Sequence, residues 1–159
     1  VGALLHDSVE DAAALLAERA TRASGSTRER ALAAIKETFG PAVSRIVGRL
    51  SNPDFRQILE QRGPLSREEL AEQKRQLYRE HVAAMARADG WAGTIKLSDL
   101  YDNALRLNEL QEQEQREYLS LKYGPVLDFY IDFLAEVSPE HPLYRCREAR
   151  IEELRQARR

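Results

Sequence analysis

The chain has 159 residues and a formal net charge of -2, with 43% hydrophobic and 31% charged residues. That length suits one domain with a substantial core, and the near-neutral charge offers no global field for a nucleic-acid backbone or an anionic membrane. The single Cys146 excludes an internal disulfide framework and a multi-cysteine zinc site, and no apolar run approaches the length of a membrane span.

In chain order, Gly2, Ala3, Leu4 and Leu5 read as the middle of a buried helix, so a segment upstream of Val1 is expected to complete it. Residues 12–23 are rich in Ala, Leu, Glu and Arg and predict a helix. Ser24, Gly25 and Ser26 break it, with Thr27 as cap for a helix over residues 28–39 that Gly40 stops. Pro41 opens a short helix carrying Val43, Ile46, Val47 and Leu50. Residues 51–53 are a turn, and the stretch to Pro64 reads as a short helix or a lid-like loop. Ser66 with Glu69 forms a capping box for a long helix to about Ala88, ended by Asp89 and Gly90. A helix over roughly residues 92–110 follows, then two helices over 112–122 and 126–137 separated at Gly124 and Pro125. Ser138, Pro139 and Glu140 start a last, highly charged helix running to the end. No alternation of period two and no repeat appears, so the fold class read is all-α.

Two acidic segments carry the chemistry. In the first, His6 and Asp7 are adjacent, pointing about 100° apart on a helix, which suits two ligands to one ion only near a helix end. An imidazole beside a carboxylate makes a mixed nitrogen and oxygen donor set suited to Mn, Fe, Zn or Mg-type ions. Glu10 and Asp11 follow one turn later on the faces of His6 and Asp7. The bland alternative is a charged helix end interacting with the dipole. In the second, Lys96, Asp99 and Asn103 share one face, flanked by an apolar stripe of Ile95, Leu100, Ala104 and Leu107. Asp99 therefore sits at the margin of a core, where a lone carboxylate is disfavoured. The bland alternative is a surface Lys96–Asp99 pair worth a few tenths of a kcal/mol.

Residues 3–11 (ALLHDSVED) resemble the ALLHDVVEDT segment of RelA/SpoT-type guanosine polyphosphate hydrolases and their small single-domain relatives, which are HD-domain phosphohydrolases. Residues 95–107 (IKLSDLYDNALRL) resemble their KLADRLHN segment, and residues 34–43 resemble the helix pair between those motifs. The resemblance covers roughly residues 1–107. It implies an HD-domain-like helical bundle lacking its N-terminal helix or helices, forming a single domain over 1–159 with the motifs in 1–110 and a helical extension over 111–159. It implies His6, Asp7 and Asp99 as three of four protein ligands to a divalent ion, usually Mn2+, with Mg2+, Fe2+ or Zn2+ as alternatives. Glu10 and Asp11 would position or deprotonate the attacking water, and Lys96 and Asn103 would face the substrate. The implied activity is metal-dependent hydrolysis of a phosphate or pyrophosphate ester of a nucleotide such as guanosine polyphosphate. The family's first metal-binding histidine lies upstream, and its usual Thr, Arg and His are Ala12, Leu100 and Asp102 here.

The competing expectation is a non-catalytic, degenerate HD-type module acting in protein interaction. The partner expected is a nucleotide or other phosphorylated small molecule, with no nucleic acid and no membrane, and the compartment expected is the cytoplasm. Among other candidates, His81 reads as a core or boundary histidine and His141 as a turn residue. Trp91 is expected to pack against the turn before the Asp99 helix. Tyr118, Tyr123, Phe129, Tyr130 and Phe133 form an aromatic stripe of core character. Cys146 has no histidine at nucleophile spacing. Arg145, Arg147, Arg150 and Arg155 alternate with glutamates as on a solvated helix, not as a nucleic-acid stripe.

Overall fold

The computed structural model describes residues 2, 5, 7–20, 24–106 and 112–158. Among them the regular elements are helical, as the all-α reading expects. They are α1 (Ser8–Asp11), α2 (Ala13–Arg19), α3 (Thr27–Phe39), α4 (Pro41–Leu50), α5 (Phe55–Glu60), α6 (Arg67–Ala88), α7 (Gly90–Leu105), α8 (Gln113–Glu136) and α9 (Arg147–Ala157). None of these helices is long and apolar enough to cross a membrane. The chain forms two compact units, Val1–Pro53 and Asp54–Arg159.

In the first unit α3 packs against both α2 and α4. Val9, Ala31, Ile35 and Val47 make its core, with Leu16, Leu32 and Val43 packed around them. The cap of α3 is Ser26, one residue before the expected Thr27. Only from Ser26 does a glutamate fall three residues on: Glu29 N donates to the Ser26 hydroxyl, and the Glu29 carboxylate accepts from Ser26 N at 2.7 Å. The bond from Ser26 N first, and a second donated by the Ser26 hydroxyl at 2.8 Å, hold the Glu29 carboxyl below its usual range. Gly40 ends α3 at φ 87°, a conformation that favours glycine, and Pro41 starts α4 where its missing N–H is not needed. Arg28 closes the other end of α4, donating to the carbonyls of Gly48 at 2.8 Å and Ser51 at 3.3 Å.

The second unit is built on α6, α7 and α8, with α5 against α6 and α9 against α8. The stretch before Pro64 resolves into a short helix, α5, because Asp54 caps it through Gln57 N at 3.0 Å and Leu59 is buried. Asp89 both ends α6 and caps α7, accepting from Trp91 N and Ala92 N, so one residue joins the two helices. They approach closely there: a Cβ on Gly93 would lie 3.0 Å from the Cα of Ala86.

Three local expectations change. Residues 113–136 form one helix with Pro125 inside it. Tyr123, Val126, Leu127 and Tyr130 are buried on both sides of that proline, so packing outweighs its local cost of about 3 kcal/mol. The last helix begins at Arg147, not near Ser138: residues 138–146 turn in tight steps, His141 N to Ser138 O and Tyr144 N to His141 O, around Pro142. Trp91 is 61% exposed instead of packed, because the corner beside it is filled by His141 and Pro142 against Gly90. His141 is the expected turn residue, its Nδ1 accepting from Leu143 N at 3.1 Å.

Candidate functional site

The first acidic segment lies on α1, a four-residue helix that buries only Val9. Asp7 precedes it as an N-cap residue without a side-chain capping bond, and its side chain is exposed, as are those of Glu10 and Asp11. Glu10 is held by the turn that follows α4. Its carboxylate accepts from Asn52 N at 2.7 Å and from Asn52 Nδ2 at 3.1 and 3.2 Å. His6, the imidazole of the expected ligand set, lies outside the described residues.

The second segment lies on α7, whose face toward the rest of its unit buries Lys96, Leu97, Leu100 and Ala104. Lys96 Nζ donates to Asp99 Oδ2 at 2.9 Å, and Asn103 Nδ2 donates to Asp99 Oδ1 at 2.9 Å. The expected shared face is therefore a hydrogen-bonded row, ammonium, carboxylate and amide in turn. It is not the exposed pair of the bland reading: the Lys96 side chain is 8% exposed and that of Asp99 23%. Breaking a buried pair by removing one partner costs several kcal/mol, because the other charge is stranded.

Residues distant in sequence make that burial tolerable, and spacing arguments could not find them. The Tyr78 ring of α6 lies under the Lys96 ammonium at 5.6 Å and under that of Lys122 of α8 at 4.9 Å. Tyr130 of α8 is fully buried and donates to the Gly93 carbonyl at 2.9 Å, fixing the start of α7. Its burial, then the nearby Tyr78 and Asp99, push the phenol's pKa above its ordinary value. His81 sits at the edge of the unit, edge-on to Phe55 at 6.2 Å, as a boundary histidine would.

Among the described residues no three His, Cys, Asp or Glu side chains are grouped to hold a metal ion, and the expected set includes His6, which is not among them. The donor chemistry itself fits a divalent cation. One imidazole and two carboxylates are a common mixed set. No protein-family model, curated protein or solved structure matches this chain.

Proposed function

We propose that the chain is a metal-dependent phosphohydrolase of the HD type, acting on a phosphate or pyrophosphate ester of a nucleotide. The observation that carries the reading is the Lys96, Asp99, Asn103 row on α7, a carboxylate held at the edge of the core between two donors. His6, Asp7 and Asp99 would hold the divalent ion, Mn2+ first among the candidates. When bound, such an ion lowers the pKa of water and offsets charge on phosphoryl oxygens.

The chain's own residues supply the rest. Asn103 fixes the Asp99 carboxylate from one side and Lys96 from the other, so its orientation is set before any substrate arrives. The Lys96 ammonium, nearly buried beside the Tyr78 ring, is a positive charge suited to a phosphoryl oxygen. Glu10, oriented by Asn52, is a carboxylate placed to accept a proton from water, with Asp11 beside it in the chain.

The test is titration of the whole chain with MnCl2 by calorimetry, with phosphate release from nucleoside polyphosphates measured in parallel. Asp7→Asn, at an exposed position, and Asp99→Asn are the variants, each checked for helicity by circular dichroism. One manganese ion per chain is expected, with affinity at least about tenfold weaker in both variants. Absence of saturable manganese binding, or unchanged affinity in Asp7→Asn, overturns the reading and favours a non-catalytic helical module.

A further inference from the structure

A cavity of about 260 Å³ lies on the other side of α7 from Asp99. Thr94, Leu97, Ser98 and Tyr101 line one wall; at 100° per residue their mean direction is nearly opposite that of Lys96, Asp99 and Asn103. The facing wall comes from the turn before α9 and from α9 itself. This site uses none of the residues proposed for phosphoester hydrolysis.

We infer that the cavity binds a small apolar amino acid as its zwitterion. Its floor is apolar, made by the buried side chains of Leu97, Leu143 and Leu154. Its mouth carries one charge of each sign: Arg150 Nη1 donates to Glu153 Oε2, and these side chains are 46% and 36% exposed. An exposed pair of this kind is worth little by itself, so exchanging each partner for a ligand group costs little. A simple anion at the mouth meets the Glu153 carboxylate, and a simple cation meets the Arg150 guanidinium. A ligand carrying both charges satisfies both, which is discrimination by like-charge repulsion as much as by attraction. Thr94 and Ser98 spend their hydroxyl protons on the carbonyls of Gly90 and Thr94. Their oxygens are left as acceptors, which suits an ammonium. Size agrees, since cavities for drug-sized molecules begin at about 300 Å³.

The cavity contains its own reporter. Cys146 lines it and is the chain's only cysteine, so alkylation by iodoacetamide is a single-site reaction whose rate senses occupancy. The experiment measures that rate in the full chain with and without L-leucine, 4-methylpentanoate or 3-methylbutylamine, the last two each lacking one of leucine's charges. Leucine is expected to slow alkylation saturably with a Kd below about 1 mM, and the two singly charged analogues at least about tenfold more weakly. Arg150→Gln, at an exposed position, and Glu153→Gln, at a half-buried one, are expected to weaken protection by a similar factor, read as the ratio of rates with and without leucine so that altered thiol reactivity cancels. No protection by leucine overturns the inference. Equal protection by either analogue overturns the zwitterion, and undiminished protection in both variants overturns the assigned mouth.

Discussion

The two acidic segments look alike as text and differ as structure. Asp7, Glu10 and Asp11 are exposed on a helix of four residues that buries one side chain. Lys96, Asp99 and Asn103 lie on a helix of sixteen residues, capped by Asp89 and buried along the Lys96 face. In the first, the carboxylates are exposed, and Glu10 is tied to the turn after α4 through Asn52. In the second, the carboxylate and its neighbours are part of what the core must accommodate. Removing a side chain should therefore cost the fold little at Glu10 and much at Asp99.

The largest test of that contrast is Asp99→Ala. It strands a nearly buried ammonium, and urea denaturation should report a loss of about 3 kcal/mol. A loss under about 1 kcal/mol would mean the pair behaves like an ordinary surface pair. Next is the tyrosine beneath the same helix. The folded pKa of Tyr130 lies above the ordinary 10.0, so above pH 10 the unfolded chain sheds a proton that the folded chain keeps. Stability contributed by Tyr130 is therefore complete below that pH and falls as pH rises past it. Tyr130→Phe should be less stable by about 1 kcal/mol at neutral pH and lose less on going to pH 11. An identical alkaline slope in the two proteins would contradict the burial of that phenol. The smallest effect on folding is expected for Glu10→Ala, about 1 kcal/mol or less for releasing Asn52. Phosphoester turnover, by contrast, should disappear in that variant. Full turnover would remove Glu10 from the chemistry and leave it as a clasp for the turn after α4.

What the sequence made legible follows the range of the interaction involved. The shared face of Lys96, Asp99 and Asn103, the Ser66–Glu69 box and the junction at Gly40 and Pro41 depend on residues no more than four apart in each step, and they appear as read. The continuity of α8 through Pro125 does not, because it is decided by the apolar side chains buried before and after that residue. The start of α9 is not legible either, because Ser138 and Glu140 imitate a helix opening, while Pro142 and the tight turns around it defer the helix to Arg147. At the candidate site, the near-complete burial of Lys96 rests on Tyr78, far away in sequence, and no local spacing announces it.

The missing side chain at Gly93 gives the close approach of α6 and α7 a consequence for charge. A methyl group added there would press on the Ala86 backbone and wedge the helices apart one turn from Lys96. The gap need only admit a water molecule. The ammonium, nearly buried as it stands, would then gain hydration and hold the Asp99 carboxylate less strongly. At this corner a single hydrogen atom in place of a side chain lets two helices close over an ammonium.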